Sequence, residues 1–150
     1  MEKYKQNMTL QKSKKAINWK EAKKMGWKAG HNKNLGILEV TFTGSPEIEE
    51  LKAAVMSSLK LCYEKQVTRV LADCSKMVSS VNDSIMSTYE LGSFYESLKI
   101  EILMKEAIIL PENEKAAAMM YFFETTARNR GFNVRVFAER DDALSWLLKV

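Results

Sequence analysis

The sequence predicts an α/β domain: a mainly parallel sheet with helices packed on it, and an antiparallel edge strand as the expected variation at its start. Short β-branched apolar runs alternate along the chain with longer stretches of three- and four-residue apolar spacing. The intervals between the later strand candidates are long enough for the crossovers that parallel pairing needs. Two runs, Val67–Ala72 and Ala107–Leu110, are apolar on both sides of the pleat, as strands covered on both faces are.

The elements follow in order. Gly30, Asn32, Asn34 and Gly36 carry turn chemistry over about residues 28–36. Ile37–Phe42 reads as the strand after it, with Met25–Ala29 as its hairpin partner. Ser45 is the expected cap of a first helix, with Pro46 in its first position and Glu47 at the positive end of its dipole. Ile48, Leu51, Val55, Leu59 and Cys62 form that helix's apolar face. Val67–Ala72 is the next strand, with Asp73 and Cys74 at its end.

Asp83 opens a second helix carrying Ile85, Tyr89, Phe94, Tyr95 and Leu98. A third buried strand at Ala107–Leu110 stops at Pro111. The third helix runs from Glu114 to Arg130 on a stripe of Ala116, Met119, Phe123 and Ala127. Gly131 terminates it, with Phe132 folding back. Asn133–Phe137 alternates polar and apolar, as an edge strand does. Asp141 is the expected cap of a last helix that turns Ala143, Leu144, Trp146 and Leu147 inward.

At 150 residues the chain is long enough for one domain with its own core. The net charge of +4 is uneven. Eight lysines against two glutamates make residues 1–24 a basic arm, and residues 25–150, the domain proper, are slightly acidic. Such an arm suits a solvated leader first, and an anionic membrane surface or nucleic acid second. Nucleic acid ranks last, because the domain has no basic face with interleaved aromatics. No apolar run approaches a membrane span and no apolar leader opens the chain, so a cytoplasmic protein is expected. Cys62 and Cys74, read as buried thiols, agree with a reducing compartment.

The stretches "VLADCSKM" at Val70–Met77 and "ETTARNRGFNVRVFAERDDALSWL" at Glu124–Leu147 resemble the STAS fold of bacterial anti-sigma-factor antagonists. Within that group the chain is similar to the stand-alone SpoIIAA-like (sporulation anti-anti-sigma-like) family, which is also compared with CRAL-TRIO lipid-transfer domains. The resemblance covers about residues 35–150. It implies a STAS-like regulatory module in which Asp73 is the aspartate that ends a strand. Asp83 and Ser84 would then be the Asp-Ser of a helix start, the serine being a phospho-acceptor and docking point. Ile85 and Met86 stand where that pattern has a second hydroxyl residue and a glycine. The plainer reading is that Asp83 or Asn82 caps the helix and Ser84 fills its first turn.

Catalysis finds little support. His31 is the sole histidine and is expected in the turn, where an imidazole is usually solvated. The sequence has no P-loop and no dinucleotide fingerprint. Asp73, Asp83, Asp141 and Asp142 could gather near strand ends around a magnesium ion, although the last two are better explained as helix-start residues. No metal and no cofactor is expected.

The second and third helices are rich in aromatics and methionine. Core packing or a dimer face is the first reading of that pattern. The other is an apolar groove between the two helices, lined by Tyr89, Gly92, Phe94 and Tyr121 and able to hold a lipid-like molecule. Gly92 costs a helix about 1 kcal/mol relative to alanine, which marks a close approach or a flexible point. The expected function is thus a non-enzymatic module that docks a protein partner or a second copy of itself. The alternative is an apolar-ligand or membrane-surface binder.

Overall fold

Five strands and four helices follow one another in a computed structural model that describes residues 26–78, 85–98, 100 and 104–149, the side chains of residues 85–87 excepted. Strands β1 (Trp27–Asn32) and β2 (Ile37–Gly44) form an antiparallel hairpin. Strands β3 (Arg69–Met77), β4 (Lys105–Ile109) and β5 (Asn133–Phe137) then add in parallel, so the spatial order is the sequence order. The expected mainly parallel sheet with an antiparallel edge is what forms.

The hairpin differs in detail from its sequence reading. The turn is confined to residues 33–36, and residues 28–32 are strand. Asn32 explains the tighter turn. Its carbonyl accepts from Gly36 N–H at 2.9 Å, and its side-chain oxygen accepts from Leu35 N–H at 3.1 Å. Gly36 takes the left-handed conformation this requires, at φ 68°. His31 therefore lies in β1 opposite Leu38, not in a solvated turn. Its Nδ1 is buried without a hydrogen-bond partner among the described residues.

Helix α1 (Ile48–Lys65) starts two residues later than Ser45 would set it. Glu47 is the cap residue, and the Glu50 carboxylate accepts from Glu47 N–H at 3.4 Å. The Ser45 hydroxyl is engaged elsewhere, donating to the Val78 carbonyl at 2.9 Å. Helix α2 spans Ile85–Ser97 and α3 spans Glu114–Asn129. The end of α3 is as the sequence predicts. Gly131 has φ 90°, its N–H donates to Arg128 O, and Phe132 N–H donates to Ala127 O. Helix α4 (Arg140–Leu147) is capped at Glu139, which places Asp141 and Asp142 in its first turn instead of at the cap.

Strand β3 also departs from expectation. It continues past Asp73 and Cys74 to Met77, because β2 runs on to Gly44 and offers a partner. Asp73 is thus a mid-strand residue, opposite Thr41 on one side and Ile109 on the other.

Connections that always advance in one direction and share one hand place their helices on the same face of a sheet. Helix α1 packs on β1 and β2, α2 on α1 and α3, and α3 on β5. This layer holds the larger core, including Val40, Ala72, Tyr95, Ile108 and Phe123. Helix α4 follows the last strand and packs on β3, β4 and β5 with a different core: Ile37, Leu71, Ala107, Ile109, Ala143 and Leu147. The central strands are therefore covered on both faces, which is why their sequences are apolar throughout. No helix among the described residues is long and apolar enough to cross a membrane.

Candidate functional site

A cavity of about 320 Å³ lies between α1, the sheet and the turn that joins α3 to β5. Ala54, Val55, Ser58 and Leu59 of α1 form one wall. Val40, Phe42 and Val70 form the floor, and residues 130–134 close the far side. Ile100 and Met104 complete an apolar rim. The cavity sits at the amino-terminal ends of the parallel strands, where Val70, Glu106 and Val134 stand side by side in one row of the sheet.

Glu106 is the chemically distinctive member. Pleating turns it to the same face as Ile108, toward α1–α3, while Ala107 and Ile109 face α4. The Tyr95 hydroxyl donates to Glu106 Oε1 at 2.9 Å. Tyr95 is itself held by edge-to-face contacts with Phe123 at 5.3 Å and Phe132 at 5.8 Å. Burial pushes the Glu106 carboxyl up to about 7, and the Tyr95 hydrogen bond only partly offsets this. Its other oxygen, Oε2, has no hydrogen-bond partner among the described residues. Ser58, 5% exposed, also lines the cavity, and its hydroxyl is buried without a partner among those residues.

The cysteines and cations nearby among the described residues are neutral or occupied. Burial drives the Cys62 thiol up to about 12, with Glu106 adding to the effect. Burial likewise raises Cys74, with Glu106 and then Asp73 contributing. Both cysteines are free and buried, hence poor nucleophiles. Arg130 Nε donates to Glu96 at 3.1 Å, Nη1 to Thr126 O at 3.2 Å and Nη2 to Ser93 at 3.4 Å. Lys105 Nζ is turned to the other face, donating to Trp146 O at 3.1 Å and lying 4.6 Å from the Trp146 ring centre. Among the described residues the cavity thus offers one carboxyl group and the Ser58 hydroxyl on a mainly apolar surface.

The residues singled out from the sequence lie elsewhere. Tyr89 and Tyr121 are 51% and 52% exposed. Phe94 is half-buried against the core, with Lys52 Nζ 5.6 Å from its ring centre. Gly92 marks a close approach, as expected, but to α3 instead of to a ligand. A Cβ there would meet Arg130 Nη1 at 3.0 Å and Thr126 Oγ1 at 3.5 Å. Arg130 also stacks over Tyr89 at 4.7 Å. The space between α2 and α3 is therefore bridged by the Arg130 side chain, and none of the four residues lines the cavity.

Asp73 faces the opposite side of the sheet, in phase with Leu71. Its carboxylate accepts from Ser75 N–H at 3.0 Å and Ser75 Oγ–H at 2.6 Å. Asp83 and Ser84 lie outside the described residues, as do Ser79, Ser80 and Asn82. Among the described residues no group of three or more His, Cys, Asp or Glu side chains could hold a metal ion.

The sequence reading passed over Glu106 and Ser58. A signal for the first was present: Glu106 precedes an apolar strand and is in phase with Ile108. In a strand covered on both faces that phase places a carboxyl group inside. Compared with known proteins, the chain matches no family model and no curated protein.

Proposed function

We propose that this protein is a non-enzymatic binding module whose cavity takes one small, mainly apolar ligand. The observation that carries the reading is the cavity itself, walled by aliphatic and aromatic side chains with a carboxyl group inside it. Ligand sites have this composition: a largely apolar surface with few polar groups that set orientation. The volume is roughly twice the 150 Å³ that hold benzene in an engineered apolar cavity. It suits a two-ring molecule or a branched chain of equal bulk.

The SpoIIAA-like, STAS-type reading rests on the stretches Val70–Met77 and Glu124–Leu147, and consecutive parallel strands after an antiparallel first strand agree with it. The partner-docking switch that this resemblance implies rests on Asp83 and Ser84, which lie outside the described residues.

Titration with the neutral dye N-phenyl-1-naphthylamine tests the reading. A saturable fluorescence rise with one site per chain is expected. Val55→Phe, which fills the cavity from α1, should abolish it without a cooperative melt being lost. Absence of saturable binding, or equal binding by folded Val55→Phe, would refute the proposal.

A further inference from the structure

The charges around the cavity say which head group its ligand carries, given the ligand-binding reading above. We infer that the cavity is selective for an apolar amine, whose ammonium group pairs with Glu106 while its hydrocarbon body fills the space beneath α1. The carboxyl of Glu106 lines the cavity and uses one oxygen to accept from Tyr95. The other oxygen has no partner among the described residues. Of the two described cationic residues beside the cavity, Arg130 is committed to Glu96, Ser93 and Thr126, and Lys105 turns its side chain to the other face of the sheet, against Trp146. An anionic head group would meet a carboxylate with no free cation among the described residues to offset it. A neutral one would bring no charge to offset the ionised form of Glu106. An ammonium supplies the missing charge and donates to the open oxygen.

Binding should depend on pH in a defined direction. Among the described residues the ionisable groups that face Glu106 are Cys62 from α1, Cys74 from β3 and Tyr95 from α2, and burial raises all three, so they stay neutral near pH 7. From β5 the neighbour is Val134, and Arg130 and Lys105 are bonded as described. Glu106, held at about 7, is then the group that titrates. An amine that is protonated throughout should bind about tenfold more weakly at pH 6 than at pH 8, because Glu106 must first release its proton.

The test is calorimetric titration with three probes that share a two-ring body: 1-naphthylmethylamine, 1-naphthalenemethanol and 1-naphthoate. The amine is expected to bind tightest at pH 8, by about tenfold over the alcohol, as a charged hydrogen bond in an apolar site would give. Glu106→Gln should remove that preference and its pH dependence. Should that variant fail to fold, Tyr95→Phe serves instead. It deletes a hydrogen bond that favours the carboxylate, so the pH midpoint of amine binding should move upward. Equal affinities for the three probes, tightest binding of the naphthoate, or an unmoved midpoint would overturn the inference while leaving the ligand-binding reading in place. Failure of all three probes and of the neutral dye would overturn both.

Discussion

Glu106 couples this protein's stability to pH in a direction opposite to that of most carboxylates. Its proton is held to about pH 7 in the folded chain because burial penalises the anion, whereas in the unfolded chain it leaves near 4.5. Between those values the native state binds more protons than the unfolded state, so stability falls as pH rises through that window and levels off above it. A shift of this size corresponds to about 3 kcal/mol. Glu106→Gln keeps an acceptor for Tyr95 but cannot ionise. Urea unfolding of both proteins at several pH values should show the variant gaining on the wild type from pH 4.5 to 7, then holding a constant advantage. A difference that does not change with pH would show that Glu106 is solvated.

At the scale of elements, the end of α3 has two tasks. It terminates the helix and it supplies one wall of the cavity, since residues 130–134 run along it. Gly131 is suited to the first task by its φ of 90°, and among the described residues no atom beyond its chain neighbours lies within 4 Å of where a Cβ would be. The effect of Gly131→Ala is therefore backbone strain alone, about 1–2 kcal/mol. Thermal or urea melts should show a loss of that size. A neutral result would mean that the turn relaxes, and the cavity wall with it. The contact of α2 with α3 works differently: Gly92 admits the Arg130 side chain, which reaches Glu96, Ser93 and Tyr89 on the neighbouring helix. A leucine at position 92 would have to displace that bridge, so it is a probe of helix packing and not of the cavity.

At the scale of the whole molecule, the two faces of the sheet depend on unequal layers. Among the described residues three helices cover one face and the eight residues of α4 cover the other. Ala143 and Leu147, one helical turn apart and fully buried, fasten α4 to Leu71, Ala107 and Ile109. Leu147→Ala should cost about 2–5 kcal/mol, as a cavity in a small cluster has few neighbours able to collapse into it. Denaturant titration reads this directly, and a loss under about 1 kcal/mol would show that α4 is not docked as described.

The sequence by itself determined the kinds of element and their order. Runs such as Val70–Ala72 and Ala107–Ile109, the spacing of Ala116, Phe123 and Ala127, and the glycine at 131 are local signals of period and backbone geometry. Each of these elements forms where those signals stand. Local signals were weaker at boundaries. Whether β3 ends at Asp73 depends on how far β2 extends beside it, and whether Ser45 caps α1 depends on the Val78 carbonyl more than thirty residues away. The candidate site was the least legible. Ser58, Tyr95, Glu106 and Arg130 come from four separate stretches of chain and meet only when α1, α2, β4 and the end of α3 have packed. Periodicity places a residue on a face, but it does not say whether the space above that face is filled. The tertiary structure decided this: among the described residues Arg130 bridges the gap between α2 and α3 and the space over Glu106 is left open, because side-chain volumes from distant segments either close a gap or leave one.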